Sequence, residues 1–317
     1  PGHPDLILNY RDAILYRSDL AILRNPTAWL NDACVNFGLE RVSARREEER
    51  RERRGGGAPS PSPVPLLLDP SVVSYAMHCD DEDLADLGRS WGLSPPAESA
   101  AEGGEKGSDR PPVRAVWIAP VNDHHAASAS AFATPGMGNH WSVLLAVVSA
   151  SAGASAPVAN FHHFDSHPGY NRRAARAVAG RLGRAIRLSY STCSLSSVPS
   201  ETTEGVASVV VEERSAPRQT NGHDCGVFAL GVVEALSDPR LWGACGGSSQ
   251  PVAEDFERAA MALFSSAAAG GGGDGSGSEG NLVVAAAFAR RKRVELAEDA
   301  VALADDYLCK KRGDVCR

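Results

Sequence analysis

Three residues far apart in the chain, Cys225, His140 and Asp165, are the types needed for nucleophilic acyl transfer by a thiol. Cys225 lies in Gln219-Thr220-Asn221-Gly222-His223-Asp224-Cys225-Gly226, where a polar, turn-forming loop meets an apolar run. A thiol at a helix N-terminus faces free backbone N–H groups and the positive end of the helix dipole, and both favour the nucleophilic thiolate. Gly226 leaves room for a substrate carbonyl near the backbone. A thiolate needs an imidazole partner, and the imidazole needs an orienting group. His140 opens a long apolar strand and Asp165 ends the next one, so the two meet if those strands are neighbours. The side-chain amide of Gln219 and the backbone N–H of Cys225 can donate to a developing oxyanion. Each residue also fits a plainer role. Cys225 can cap a core helix, His140 can face solvent, Asp165 can be a turn residue, and Gln219 can be an exposed loop residue.

The elements that must position these groups follow from periodicity. Asn25-Pro26-Thr27 offers capping chemistry, and a helix after it aligns Leu30, Ala33, Cys34 and Phe37 in one buried stripe. That helix runs on into the charge-laced Arg45 to Arg50. Leu6 to Leu23 reads as a short extended piece followed by turns. An acidic helix is expected around Asp80 to Leu87. Strands are expected at Val113 to Val121, His140 to Ser149, Val158 to Asp165 and Ala207 to Glu213, with a polar turn (DSHPGYN) after the third. Arg172 to Leu188 reads as a helix. Val227, Phe228, Ala229, Leu230, Val232, Val233 and Leu236 leave almost no polar face, so Asp224 to Leu236 is a helix buried in mid-fold. Val283 to Cys309 is a long, charged, amphipathic helix. The fold class is α+β, a mixed sheet of four or five strands packed around a buried helix with the nucleophile at its N-terminus. One domain spanning 1–317 is expected, interrupted by low-complexity inserts at about 43–64, 97–110, 124–138 and 268–280.

A hydrophobic fraction of 43% across 317 residues supplies a real core. The formal charge of −7 argues against a general nucleic-acid binder, and no apolar run reaches the ~20 residues of a membrane span. Seven cysteines, odd in number and without a C-x-x-C pair, fit a reduced compartment, cytoplasm or nucleus, better than a disulfide framework. The chain begins at Pro1 without a methionine, which leaves room for a removed leader. His124, His125, His162, His163, His167 and His223 match no compact zinc pattern. The basic runs Arg290-Arg291-Lys292-Arg293 and Lys310-Lys311-Arg312 fit solvated helix faces, or a nuclear import signal.

The order His-Trp, Asp-Ser, Gln-x5-Cys-Gly resembles the ubiquitin-like-protein-specific (sentrin-specific, adenain-like) cysteine proteases, in particular their deneddylase branch. Tyr10 to Asp32, with Trp-Leu-Asn-Asp, resembles that branch's N-terminus. Trp117 to Asp123 resembles a strand and mobile loop closing over substrate. Asn139-His140-Trp141-Ser142, Phe164-Asp165-Ser166-His167 and Gln219 to Gly226 resemble the histidine, aspartate and nucleophile blocks. The resemblance implies a triad of His140, Asp165 and Cys225, with Gln219 at the oxyanion. It also implies a narrow channel for a modifier's Gly-Gly tail, lined by Trp29 and Trp141, with Asp32 on the tail backbone and Asn122 and Asp123 in the closing loop. Trp29 equally fits core packing on its helix. A tight slot between indoles selects glycine by exclusion. The implied reaction is cleavage after Gly-Gly of a Nedd/Rub modifier, in precursors and in conjugates such as cullins, by a monomer that needs no cofactor. A SUMO-specific protease is the alternative, and a non-catalytic modifier-binding module a remote one. The inserts have no counterpart in the family pattern.

Overall fold

A computed structural model describes residues 5–54, 63–93, 113–126, 138–149, 157–191, 209–243, 251, 253–266 and 278–312. The chain opens with a hairpin, β1 (Leu6–Tyr10) and β2 (Ala13–Tyr16), followed by α1 (Arg17–Arg24) and α2 (Asp32–Arg54). Then come β3 (Leu66–Leu67), α3 (Pro70–His78), α4 (Asp81–Ser90), β4 (Val113–Asn122) and a 3-10 turn over Asp123–Ala126. β5 (Trp141–Ser149), β6 (Val158–Phe164), α5 (Arg172–Ser191), β7 (Val211–Arg214) and α6 (Cys225–Leu236) follow. The described chain ends with α7 (Pro239–Gly243), α8 (Ala253–Ser266) and α9 (Ser278–Arg312).

The strands β3-β4-β5-β6-β7 form one mixed sheet, parallel at its two outer pairings and antiparallel at the two inner ones. β5 is its centre and is buried along its whole length. The period of two along a strand sends alternate side chains to opposite faces. Val143, Leu145 and Val147 face α6, while Leu144, Ala146 and Val148 face α5. The sheet therefore lies between two helical layers. The buried helix expected at its heart, α6, covers one face and α5 the other.

Several local expectations change. The sequence pattern missed α1; the N-terminal stretch is a hairpin followed by this helix. α2 begins at Asp32 rather than after Thr27, because Asn31 caps it by accepting the N–H of Cys34 at 2.9 Å. Asn25 instead turns back on itself and accepts the Thr27 N–H. Residues 43–54 continue α2, in line with the charge-laced helical run to Arg50 and not with the insert bound set at 43. They are held there by Arg45, which pairs with Glu234, Glu295 and Asp299, and by Arg46, which donates to the Glu234 carbonyl. Residues 278–280, expected in the last insert, are helical, and 124–126 form part of the 3-10 turn. The 97–110 insert and most of the other inserts lie outside the described residues. No helix among the described residues is long and apolar enough to cross a membrane.

Candidate active site

The antiparallel register of β5 and β6 pairs Val143 with Phe164. This sets His140, just before β5, beside Asp165, just after β6, at one end of the sheet. His140 Nε2 lies 2.6 Å from Asp165 Oδ1, and both side chains are almost fully buried. The Cys225 side chain lies near enough to the same ring to favour its protonated form. With Nε2 committed to Asp165, Nδ1 is the nitrogen left for the thiol. α6 packs across β5 and brings its first residue, Cys225, to this point, where Sγ also approaches the Asn139 carbonyl at 3.9 Å. The fold thus joins three distant stretches into one thiol–imidazole–carboxylate line.

Burial by itself disfavours a charged imidazole here. The hydrogen bonds and charges of Asp165 and Cys225 outweigh it and raise His140 to about 9. Burial likewise pushes the Asp165 carboxyl up. The His140 bond and the N–H groups of Asn171 (3.0 Å) and His167 (2.9 Å) more than reverse this and leave it below the ordinary carboxylate value. The polar turn after β6 wraps round that carboxylate, with Gly169 at φ +81° supplying the left-handed bend.

Gln219 docks against the same turn. Its backbone N–H donates to the Ser166 carbonyl at 3.1 Å, its Oε1 accepts from Ser166 Oγ at 2.8 Å, and its Nε2 donates to the Asn221 carbonyl at 2.7 Å. A carboxamide carries two N–H bonds, so one remains for another acceptor. The N–H groups of the first turn of α6 have no intrahelical partner either.

The remaining sequence candidates fall around this centre. Trp141 is buried and its indole N–H donates to the Leu30 carbonyl at 2.8 Å, which ties it to the segment carrying Trp29. Trp29 precedes α2 and is 43% exposed, so it does not pack in the core. Asp32, also exposed, sits at the α2 N-terminus. Loss of hydration raises its carboxyl above the ordinary value, opposed by His124. Asn122 is buried and its side-chain oxygen is taken by the N–H and Nδ1 of His124. Asp123 Oδ1 accepts the N–H groups of Asn139 and His140 and so frames the histidine from behind. Both residues thus have partners within the scaffold around His140. Gly226 also has a packing role. A Cβ there would come within 3.0 Å of the Leu30 side chain, so the glycine lets α6 pack closely against that segment. Among the described residues, no cluster of three or more His, Cys, Asp or Glu could hold a metal ion.

Periodicity did not reveal the supporting shell. Asn171 donates its side-chain N–H groups to the Val121 carbonyl and to Ser142 Oγ, both at 2.9 Å, while its backbone N–H holds Asp165. Ser142 then meets His163 Nε2 at 2.9 Å, and His163 Nδ1 lies 3.0 Å from Glu213. The rings of Tyr170, 56% exposed, and His167 stand 4.8 Å and 6.1 Å from that of His140. The only advance signal for these contacts was the density of polar residues in the DSHPGYN turn.

Comparison with known proteins supplies the context for this geometry. No family model matches the chain. It is 27% identical over 247 residues to NEDD8-specific protease 1 of Arabidopsis thaliana, covering 77% of this chain and 79% of that one. It is 26% identical over 231 residues to the probable sentrin-specific protease 8 of Dictyostelium discoideum, covering 73% of this chain and 74% of the other. The chain is a cysteine protease that resembles the ubiquitin-like-protein-specific proteases over most of its length. A crystal structure of a de-sumoylating protease aligns with 98% of this protease and 96% of its own chain, at 15% identity and a TM-score of 0.48. Cys225 is a buried thiol at the N-terminus of α6, beside His140.

Proposed function

We propose that this cysteine protease cuts after the C-terminal Gly-Gly of a Nedd/Rub-type modifier, in precursors and in isopeptide conjugates. The observation that carries the chemistry is the His140–Asp165 bond with Cys225 beside the same ring at one end of the sheet. The likeness to the NEDD8-specific protease of Arabidopsis thaliana carries the choice of modifier.

In this reading the tail passes between the exposed Trp29 and the edge of Trp141, with Asp32 beside it. The Cys225 thiolate adds to the last glycine carbonyl. The second N–H of Gln219 and the backbone N–H of Cys225 stabilise the oxyanion. The imidazolium of His140 gives its proton to the leaving amine, a lysine Nζ or the first amine of a precursor tail, and the acyl-enzyme remains. His140 then takes a proton from water, hydroxide adds to the thioester, and the thiolate leaves as the modifier's carboxylate is released. No group outside the chain is needed for proton or electron balance. We further assign one protease domain acting as a monomer, with cullin-type conjugates as substrates and cytoplasm or nucleus as its compartment.

The test is hydrolysis of C-terminal fluorogenic amides of the Nedd-type modifier, SUMO and ubiquitin by one preparation. The Nedd amide is expected to be cut fastest, with no turnover by Cys225→Ala. A preparation that prefers the SUMO amide would overturn the modifier assignment. Undiminished turnover by Cys225→Ala would overturn the mechanism.

A further inference from the structure

The basic run Arg290-Arg291-Lys292-Arg293 divides in two on folding. Arg290 and Arg291 are exposed, whereas Lys292 and Arg293 are buried. Lys292 pairs with Glu234 and Glu295, which ties α9 to α6. Arg293 reaches further, into the gap between the segment carrying Trp29 and the loop carrying Cys225. Its Nε donates to Asp224 Oδ1 at 2.8 Å. Nη2 donates to the carbonyls of Ala28 (2.6 Å) and His223 (3.0 Å), and Nη1 to that of Asn25 (3.3 Å). Four of the five guanidinium N–H bonds are thereby used, on two loops that have no direct ladder between them.

Both loops lead to the reacting centre. Asp224 passes the contact on by accepting Asn221 Nδ2 at 2.8 Å on its other oxygen. Asn221 Oδ1 accepts the N–H groups of His223 and Asp224, and the Asn221 carbonyl holds Gln219 Nε2. On the other side, Ala28 adjoins Trp29, and the Leu30 carbonyl holds the Trp141 indole. We propose that Arg293 is a positioning residue that sets the separation between the nucleophile loop, with its oxyanion donor Gln219, and the Trp29 segment that receives the modifier tail. A guanidinium does this because its donors leave a rigid plane in fixed directions. A lysine ammonium is a point charge that can meet Asp224 but cannot span three carbonyls as well. The inference rests on the Cys225–His140 chemistry and Gly-Gly tail binding described above.

The experiment uses the full chain with Arg293→Gln and Arg293→Lys, and two reagents for Cys225. The first is a Nedd-type modifier with a C-terminal electrophile, which needs both the tail segment and the oxyanion arm. The second is iodoacetamide, which needs only the thiol–imidazole pair. Since misplacement of a reacting group by ~1 Å costs about a hundredfold, acylation by the modifier probe should slow by about 10- to 100-fold in both variants. Iodoacetamide alkylation should stay at the wild-type rate. A purely structural arginine would instead leave both rates unchanged, or lower both together through unfolding, and either result overturns the inference. If Arg293→Gln does not fold, Arg293→Lys and Asp224→Asn decide by the same split. If the wild type itself takes iodoacetamide but not the modifier probe, the modifier reading is what fails.

Discussion

Replacing Asp165 with asparagine is the sharpest perturbation, because every bond the carboxylate makes is known. Oδ1 receives His140 Nε2 and the His167 N–H, and Oδ2 receives the Asn171 N–H. An asparagine cannot satisfy this set. With its oxygen toward His140, its NH2 meets the Asn171 N–H, donor against donor. With the amide turned, its NH2 meets both Nε2 and the His167 N–H, and the ring must carry its proton on Nδ1, where it cannot accept one from Cys225. The electrostatic loss can be sized from the ring itself. Raising His140 from 6.5 to about 9 favours the imidazolium by about 3 kcal/mol, at roughly 1.4 kcal/mol per pKa unit. Without the carboxylate only Cys225 is left to oppose burial, so the ring falls well below its wild-type value. If that preference is expressed in the acylation step, the rate should fall by about 10²- to 10³-fold.

The assay is the rate of Cys225 acylation by a modifier-tail electrophile across pH. In the wild type the limb set by loss of the imidazolium proton should lie near pH 9. In Asp165→Asn it should move well below pH 9. The folded value of His140 is above its unfolded value, so the stability this pairing contributes is complete below pH 6.5 and is lost as pH rises through about 9. A limb that stays near pH 9 in Asp165→Asn would refute the coupling between carboxylate and imidazole, and with it the third role in the triad.

Two further predictions concern stability. His125 is buried, accepts the Asn122 N–H on Nδ1 and meets Ser74 Oγ on Nε2; burial, aided by His124 and His78, lowers it to about 3. Its folded value lies below the unfolded one, so its contribution is intact above pH 6.5 and shrinks as pH falls toward 3, by about 1.4 kcal/mol per unit. Urea unfolding at pH 7, 6 and 5 should therefore show a steeper acid loss in the wild type than in His125→Gln, and equal slopes would contradict the assignment. Gly231 lies under an aromatic cluster, where a Cβ would come within 2.6 Å of Phe288 and 2.9 Å of Phe264. Gly231→Ala should cost about 1–3 kcal/mol through overpacking, read as a lowered thermal midpoint. An unchanged midpoint would mean that the rings shift freely.

What could be read in the sequence was whatever is local or periodic. The near-continuous apolar run after His140 identified the central strand, because a strand buried on both faces has no polar alternation to obscure it. The all-round apolar helix after Asp224 identified the buried α6 for the same reason. The candidate triad was legible because chemistry restricts the residue types, and each member sits at an element boundary that pattern alone reveals. The helix at Arg17–Arg24 and the cap at Asn31 were not legible: the cap depends on Asp19 folding back to receive Asn31 Nδ2 at 2.8 Å, a contact across 12 residues.

The tertiary structure alone decided which polar groups became partners. Asn171 and Asp165 meet through a turn, but Ser142, His163 and Glu213 join them only because β5, β6 and β7 are adjacent in register. Arg293 shows the limit most clearly. The stripe Ala289, Leu296, Ala300 and Ala304 marks its face of α9 as the inner one, yet the charge of its run argued for solvent. Periodicity says which way a side chain points. Only the assembled fold places the Asp224 carboxylate and three inward carbonyls of two loops where they can accept a charged group out of water.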